Sequence, residues 1–295
     1  MNKDMYEIIK NRKGFIAALD QSGGSSAKTL TLYGITPDQY NGEDEMFDLI
    51  HKMRERVFTS KVFTSKKIIG AILFEKTMMS KVNGKYTADY LWDDKNIVSF
   101  LKVDKGLADE ENGVKLMKEI PNLVSTLKTA KEKHVFGTKM RSVIYKADKK
   151  GIKEIVKQQF EIAKIICDNG LVPIIEPEVD INAPDKEECE KILKEEIVKK
   201  LESWSSEDKI MFKFTIPTVS NLYLDLYDYE CVVRIVALSG GYPNEKACEL
   251  LKQNKKMIAS FSRALLEGLN ANQTQKEFDE KLSSAIDMIF KASTT

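Results

Sequence analysis

Residues 171–178 read LVPIIEPE, a short apolar run that ends in two glutamates on either side of a proline. The chain contains seven further short runs of mostly apolar residues, each followed by a charged or hydroxyl side chain. They are residues 15–19 before Asp20, 68–74 before Glu75, 97–101 before Lys102, 135–138 before Lys139, 210–212 before Lys213, 232–238 before Ser239 and 257–262 before Arg263. Such runs are typical of strands in a parallel sheet that is covered on both faces.

Segments with helical periodicity lie between these runs. Apolar residues recur at helical spacing in residues 151–169, 185–201 and 276–290, and Pro243 with Asn244 predicts the start of another helix. Because strands alternate with helices, we expect parallel pairing through crossovers. Eight strands favour an α/β fold of the closed (β/α)8 type, a TIM barrel, with extra helices at its amino and carboxyl ends. No linker-like segment divides the chain, which predicts a single domain over residues 1–295.

The composition excludes several classes of partner. A formal net charge of +1 gives no reason to expect binding to nucleic acid or to an anionic membrane surface. No apolar run approaches the roughly 20 residues of a membrane-spanning helix, and residues 1–13 lack the apolar core of a signal peptide. The cysteines, scattered without CxxC spacing, predict free and mostly buried thiols of a reducing compartment. We therefore expect a cytoplasmic protein.

In a closed barrel the strand ends surround one opening, so side chains far apart in sequence can meet there. Lys102, Lys139 and Lys213 follow three of the runs, and lysine is among the costliest residues to bury without a partner. Lys213 lies between phenylalanines in MFKFT. An amine in apolar surroundings near another cation such as Lys139 has a lowered pKa and can attack a carbonyl to form a Schiff base. The alternative is a structural lysine whose ammonium reaches a carboxylate.

Two carboxylates follow the run that opens this description. Glu176 and Glu178 are two residues apart, so in an extended segment both side chains point the same way. Two close carboxylates can divide their roles between a proton carrier and a charged orienting group. As the alternative, both are counterions for the lysines, and the two interpretations are compatible.

Two short segments are candidate anion sites. Ser239, Gly240 and Gly241 follow the seventh run and Arg263 follows the eighth, which are the positions where barrel enzymes frequently bind phosphate. The segment SGGS at residues 22–25, with Lys28 beyond it, is a second candidate. In each case a flexible turn is the alternative.

Metal and cofactor signals are weak. His51 and His134 lie away from the run ends, and we interpret them as surface or packing residues. No cluster of histidine, cysteine and aspartate has the spacing of metal ligands, and neither GxxxxGK[ST] nor GxGxxG occurs. We therefore expect neither a metal nor a cofactor.

Five segments carry a resemblance to a known family. They read GFIAALDQS (14–22), LKVDKG (101–106), VPIIEPE (172–178), LSGG (238–241) and FSRAL (261–265). The chain closely resembles the class I, Schiff-base fructose-1,6-bisphosphate aldolases, particularly the bacterial form, from about Gly14 to Leu266. The resemblance implies a barrel lyase of glycolysis and gluconeogenesis. Such an enzyme reversibly cleaves fructose 1,6-bisphosphate into dihydroxyacetone phosphate and glyceraldehyde 3-phosphate without a metal.

The resemblance also implies a role for each matching side chain. Lys213 matches the lysine that forms the Schiff base, and Lys139 the lysine beside the imine nitrogen. Glu176 matches the acid/base that assists dehydration, with Glu178 as its neighbouring carboxylate, and Asp20 matches the carboxylate that accepts the hydroxyl proton during cleavage. Ser239, Gly240 and Arg263 match residues that hold the phosphate next to the ketone, and Ser22, Ser25, Lys102 and Arg141 match residues around the far phosphate.

Some positions depart from the family pattern. Gln21 and Thr29 stand where animal relatives carry an acid and an arginine, and the printed sequence ends without the tyrosine that those enzymes use in proton transfer on the enamine. The usual tetramer of the family is not assumed for this chain, and a homo-oligomer is left open. Glu75 matches no role, and we interpret it as structural. Two alternatives stay open: a Schiff-base aldolase for a different phosphoketose, and a barrel that binds phosphosugars without catalysis.

Overall fold

Eight parallel strands follow one another around the sheet in chain order, so each pairs with the next in sequence. In the computed structural model, which describes residues 2–294, they are β1 (Phe15–Leu19), β2 (Ile68–Leu73), β3 (Val98–Lys102), β4 (Gly137–Ile144), β5 (Val172–Val179), β6 (Ile210–Thr215), β7 (Val232–Leu238) and β8 (Ile258–Ala259). The sheet curls back to its start, where Ala18 N donates to Phe261 O at 3.2 Å. This confirms the predicted (β/α)8 barrel. Met1 and Thr295, the ends of the predicted domain, lie outside the described residues.

Helices surround the barrel, and all but the first and the last two connect one strand to the next. They are α1 (Lys3–Asn11), α2 (Gly24–Leu32), α3 (Gly42–Thr59), α4 (Glu75–Met79), α5 (Thr87–Asp93), α6 (Leu123–Glu132), α7 (Lys149–Asp168), α8 (Lys186–Leu201), α9 (Asn244–Leu251), α10 (Arg263–Leu266) and α11 (Gln275–Ala292). The helices predicted from periodicity are confirmed as α7, α8, α9 and α11, and α1 and α11 are the predicted extra helices. Between β6 and β7 the chain forms a 3-10 turn, Leu224–Asp228, in place of an α-helix.

The ends of the long helices follow local sequence signals. Asp148 caps α7 by accepting a hydrogen bond from Gly151 N at 2.9 Å, and Gly170 follows the helix with φ +77°, a conformation that favours glycine. Thr274 and Glu277 form a capping box at the start of α11. These caps hold the helices that enclose the second half of the barrel.

Four strands extend further than the apolar runs predicted, and the first of them, β3, includes Lys102. β4 continues through Lys139 and Arg141, β5 through Glu176 and Glu178, and β6 through Lys213, so the prediction that these side chains follow the strands is wrong. The backbone ladder does not depend on side-chain polarity, whereas the apolar run ends where the inward side chains become charged. In the opposite sense, β8 is a strand only at Ile258–Ala259, shorter than the run at 257–262.

The barrel interior is apolar at one end and charged at the other. Val172 and Ile174 of β5 point inward and belong to an inner core, whereas Ile175 and Val179 face the helices in an outer core. The inner core comprises Met5, Ile9, Ile16, Ala18, Ile69, Ile72, Val98, Phe100, Phe136, Val172, Ile174, Met211, Val233, Val236 and Ile258. Because Met5 and Ile9 come from α1, this helix closes the amino-terminal end of the barrel. The charged side chains occupy the carboxyl-terminal end of the barrel.

Close packing at the centre requires a glycine in β4. Gly137 pairs with Phe100 of β3 and with Val172 of β5. A Cβ atom at Gly137 would lie 2.2 Å from Val172 O and 2.9 Å from the Phe100 ring, closer than real atoms approach. Glycine therefore makes room for Phe100 beneath the charged end of the barrel.

Two expectations from composition also have structural counterparts. No helix within residues 2–294 is both long enough and apolar enough to cross a bilayer. The cysteines are free thiols: Cys189, Cys231 and Cys248 are buried, and Cys167 is half-buried. Burial raises the pKa of Cys167 and of Cys189 to about 12, so neither is a thiolate at neutral pH.

Candidate active site

The carboxyl ends of the strands enclose a cavity of about 340 Å³. Its lining contains every residue predicted for the site, and those residues come from seven of the eight strands and the loops that follow them. They are Asp20, Ser22, Ser25, Lys102, Lys139, Arg141, Glu176, Glu178, Lys213, Ser239, Gly240 and Arg263. The structure therefore brings together all the side chains that the sequence placed around one opening.

A network of buried charges lies at the floor of the cavity. Lys213 Nζ is 3.1 Å from Glu176 Oε1, and Lys139 Nζ is 3.1 Å from Glu176 Oε2. Lys139 Nζ also lies 2.7 Å from Asp20 Oδ2. All four residues are at most 9% exposed. Glu176 therefore bridges the two lysines and is within proton-transfer distance of Lys213.

The predicted apolar surroundings of the Lys213 amine are wrong. Phe212 and Phe214 point to the outer core, where their rings stack with centroids 5.2 Å apart. Alternate residues of a strand face opposite sides, so Lys213 points into the barrel toward Glu176. The amine is surrounded by charges, and its contact with a carboxylate also matches the alternative proposed for it.

Neighbouring charges set the protonation states of Asp20 and Lys139. Burial acts to raise the pKa of Asp20, but the positive charges of Lys139 and Lys213 outweigh it and hold that pKa well below its usual value. Burial likewise opposes the charge on Lys139, yet Asp20, Glu176 and Asp104 raise the pKa of this lysine above its usual value. At neutral pH the pair is an ammonium and a carboxylate.

This pairing predicts a pH-dependent contribution to stability. Replacing Asp20 with asparagine is expected to lower the free energy of unfolding by about 3 kcal/mol near pH 7, because Lys139 loses a buried counterion. The folded-state pKa of Asp20 lies below its unfolded value. Its contribution is therefore present above about pH 4 and is lost as the pH falls through the folded-state pKa. In urea unfolding, the difference between wild type and variant should shrink between pH 7 and pH 3. A difference that widens toward low pH would contradict the ion pair.

The second glutamate of the pair has a different partner. Glu178 lies on the same face of β5 as Glu176, as predicted, and its Oε2 accepts a hydrogen bond from Arg141 Nε. Glu178 is thus the counterion of an arginine, whereas Glu176 serves the lysines. A phosphate that bound Arg141 would compete with this carboxylate.

Asp104 is a buried carboxylate that the sequence reasoning missed. Lys102 Nζ lies 2.7 Å from Asp104 Oδ1 and donates to Asp104 O at 2.8 Å, while Asp104 Oδ2 lies 3.9 Å from Lys139 Nζ. The signal was present in LKVDKG, because Lys102 and Asp104 are two residues apart at the end of a strand and carry opposite charges.

The two candidate anion sites have ordered backbones. Gly240 has φ +62°, and a Cβ atom there would lie 2.5 Å from Ile181 Cγ2, so this turn requires glycine. A Cβ on Gly241 would lie 3.4 Å from Arg263 Nη2, which places the guanidinium directly over the turn. In the other segment, Ser22 N donates to Ser25 Oγ at 2.9 Å and Ser25 Oγ donates to Ser22 O at 2.7 Å, just before and within the first turn of α2.

Some residues considered in the sequence lie outside the cavity, and some residues that line the cavity were not predicted. Glu75 forms an exposed ion pair with Lys105 at 2.8 Å and does not line the cavity, which agrees with a structural role. His51 contacts Lys81 O at 3.1 Å, and His134 contacts Asp89 at 2.7 Å. Lys28, named with the candidate anion segment 22–25, lines the cavity too, and the residues that line it beyond those predicted are Ala18, Gln21, Thr29, Leu32, Leu238, Ser260 and Ser262. Small polar side chains such as the serines carry no pattern that distinguishes them in the sequence.

The carboxylates and histidines of the described residues do not form a metal site. Within residues 2–294, no group of three or more histidine, cysteine, aspartate or glutamate side chains is arranged to hold a metal ion. The carboxylates of the cavity are instead matched with lysine and arginine.

Two comparisons relate this chain to known proteins. The model of a family described as fructose-bisphosphate aldolase class-I matches residues 1–221. A solved structure, fructose-bisphosphate aldolase from Plasmodium falciparum in complex with TRAP and a small-molecule inhibitor, is similar with a TM-score of 0.76 at 21% identity. The match covers 99% of this chain and 94% of that chain, and it supports the fold. The family match includes Asp20 through Lys213, whereas the phosphate candidates Ser239 and Arg263 lie beyond it.

Proposed function

Because the chain belongs to the class-I fructose-bisphosphate aldolase family, we propose that Lys213 is the residue through which this lyase forms a Schiff base with its substrate. The substrate is a phosphorylated sugar, and the reaction is the reversible cleavage of fructose 1,6-bisphosphate into dihydroxyacetone phosphate and glyceraldehyde 3-phosphate. One observation carries the assignment: Lys213, Glu176, Lys139 and Asp20 are joined by contacts of 2.7–3.1 Å beneath the cavity. The family match favours this activity over a non-catalytic barrel or a different phosphoketose.

The first half of the reaction joins the sugar to the enzyme. Lys213 first transfers a proton to Glu176 across their 3.1 Å contact, and the neutral amine then attacks the ketone carbon. The proton that the attacking nitrogen loses moves to the carbonyl oxygen, which becomes a hydroxyl group. Glu176, 3.1 Å from Lys213 Nζ, donates the proton with which that hydroxyl leaves as water. The product is an iminium ion whose positive charge faces the Glu176 carboxylate.

The second half breaks the carbon–carbon bond. Asp20 accepts the proton of the hydroxyl group on the carbon beyond the bond, which becomes an aldehyde. The electron pair of the broken bond moves into the iminium ion and produces an enamine on Lys213. The ion pair with Lys139 keeps Asp20 ionised, so a proton acceptor is present throughout the neutral pH range.

Two phosphate sites hold the sugar across the cavity. We assign Ser239, Gly240 and Arg263 to the near-phosphate site, beside the ketone. The far-phosphate site comprises Ser22 and Ser25 at the start of α2, with Lys102 and Arg141. Binding at both ends positions the ketone against Lys213, and this positioning lowers the barrier to attack. Glu178 and Asp104 hold the cations of the far-phosphate site in place before substrate binds.

Borohydride trapping tests the assignment of Lys213. Reduction in the presence of dihydroxyacetone phosphate should inactivate the enzyme and add one substrate-derived group, which peptide mass mapping should find on Lys213. The reaction without substrate is the control and should leave the enzyme active. A group attached to Lys139 or Lys102, or no group at all, would contradict the proposal. So would activity that a metal chelator abolishes.

We also propose that the enzyme is a single-domain, cytoplasmic homo-oligomer that needs no cofactor, nucleic acid or membrane partner. Family membership supports oligomerisation, and the near-neutral net charge of +1 supports the absence of a nucleic-acid partner. Light scattering on the purified protein tests the oligomer, and a particle with the mass of one chain, 33.5 kDa, would contradict it.

A further inference from the structure

Arg54 is a fully buried cation without a carboxylate partner. It lies in α3 with 0% of its surface exposed, and its hydrogen bonds within residues 2–294 go to Thr77 and Gln21 and to no carboxylate. Burial lowers its pKa to about 10 against the opposing effect of the more distant negative charge of Asp20, so it is still charged at neutral pH. Burying a charge without a directly paired counterion costs free energy of folding. The hydrogen bonds that hold Arg54 in this position therefore point to a functional role.

The partners of Arg54 connect it to the cavity. Nη1 donates to Thr77 Oγ1 at 2.7 Å, and Nη2 donates to Gln21 O at 2.6 Å and to Gln21 Oε1 at 3.0 Å. Since the guanidinium has only donors, it fixes the carbonyl oxygen of the Gln21 amide on its own side. The amide nitrogen is thereby turned the other way, where it donates to Ser262 Oγ at 2.6 Å.

This Arg54–Gln21–Ser262 chain crosses the weakest seam of the barrel. β8 is only two residues long, and within the described chain no strand ladder joins it to β1. The backbone hydrogen bond from Ala18 N to Phe261 O spans the seam just below the Arg54–Gln21–Ser262 hydrogen bonds. Gln21 and Ser262 extend that connection by one side-chain hydrogen bond toward the cavity.

The residues at the seam adjoin both phosphate sites. Gln21 lies between Asp20 and Ser22, so it is next to the proton acceptor and to the far-phosphate site. Ser262 immediately precedes Arg263 of the near-phosphate site. A shift across this seam would change the distance between the two sites, and a substrate that uses both would lose its alignment with Lys213.

We propose that Arg54 is a positioning residue that, through Gln21 and Ser262, fixes the spacing of the two phosphate sites and so favours substrates with two phosphates. The inference rests on the proposed phosphate sites. A sugar with one phosphate occupies only the near-phosphate site, and its binding does not depend on the spacing. The Arg54–Gln21–Ser262 hydrogen bonds therefore affect the binding of the bisphosphate more than the binding of the monophosphate.

Kinetics on two substrates test this proposal. In Arg54→Met, kcat/KM for fructose 1,6-bisphosphate should fall about tenfold to a hundredfold, as expected for a small misplacement of substrate. For fructose 1-phosphate the fall should stay within about threefold, since only positioning across the seam is lost. Ser262→Ala leaves Arg54 and Gln21 paired, so it preserves the buried core, and it should shift the ratio of the two kcat/KM values in the same direction.

Arg56→Met is the matched control for stability. Arg56 lies on the same helix and donates to the backbone carbonyls of Asn270, Ala271 and Gln273, away from the cavity. Its loss should reduce stability without changing the ratio of the two kcat/KM values. The proposal is overturned by equal losses on both substrates in Arg54→Met and Ser262→Ala, or by a wild type that does not prefer the bisphosphate. Borohydride labelling of Lys213 in the same preparations separates failure of this inference from failure of the proposed function.

Discussion

Replacing Lys213 with methionine is expected to lower kcat for cleavage by at least about 10⁴-fold, because no other group forms the imine that accepts the electrons of the broken bond. Methionine retains most of the volume of the lysine stem, so the inner layer of the barrel stays filled. Glu176 keeps its second cation, since Lys139 Nζ lies 3.1 Å from Oε2. The loss should therefore be chemical. A coupled assay of glyceraldehyde 3-phosphate formation measures it, with circular dichroism to confirm that the variant is folded.

Lys105→Met is the matched control for this prediction. This variant also exchanges a lysine for methionine near the cavity, but the amine of Lys105 pairs with Glu75 at the surface. The control variant should keep wild-type kcat and KM. If Lys213→Met retained substantial activity, or if borohydride still attached substrate to that variant at Lys139, the assignment of the nucleophile would be wrong.

The strand pattern shows which features of the fold can be predicted from the sequence alone. Apolar runs predicted the barrel and the convergence of the run ends, because a strand buried on both faces needs apolar residues along most of its length. The same signal failed at the upper ends of β3, β4, β5 and β6. There the inward residues Lys139, Glu176 and Lys213 have partners of opposite charge, and the backbone ladder continues past them.

Side-chain partners across the barrel were harder to predict. Two-residue spacing identified Glu176 and Glu178 as neighbours on one face, yet nothing in that spacing showed that one would meet lysines and the other an arginine. Arg54 gave no signal at all, since a charged residue on an amphipathic helix is usually exposed. Its burial depends on Gln21 and Thr77, which are distant in sequence.

The distribution of charge explains how a cavity lined by both cationic and anionic side chains can bind an anion. Four cations of the cavity are paired one to one with carboxylates: Lys213 with Glu176, Lys139 with Asp20, Lys102 with Asp104 and Arg141 with Glu178. The floor is therefore close to neutral. Lys28 and Arg263, exposed at the rim, have no carboxylate oxygen within 4.0 Å among residues 2–294. This excess of positive charge lies where the phosphates enter, and it attracts the substrate while the four cations of the cavity floor stay paired.

Asp20→Asn is expected to separate the two halves of the reaction. Asparagine fills the same space but cannot accept the hydroxyl proton, so kcat for cleavage should fall about 10³-fold, within the usual range for a lost general base. Imine formation depends on Lys213 and Glu176, which remain in contact. Borohydride with dihydroxyacetone phosphate should therefore still label Lys213 in this variant. Stopped assays of cleavage and mass mapping of the labelled peptide measure the two steps on one preparation.

Asp104→Asn is the electrostatic control for that result. It removes the same charge near Lys139, at 3.9 Å, from a carboxylate that does not line the cavity. If Asp20 acts as the proton acceptor, Asp104→Asn should reduce kcat by no more than about tenfold, the effect of roughly 1.4 kcal/mol of altered electrostatics. Equal losses in the two variants would mean that Asp20 serves only as a counterion of Lys139. Loss of labelling in Asp20→Asn would place its role before cleavage, because cleavage can follow only once the imine has formed.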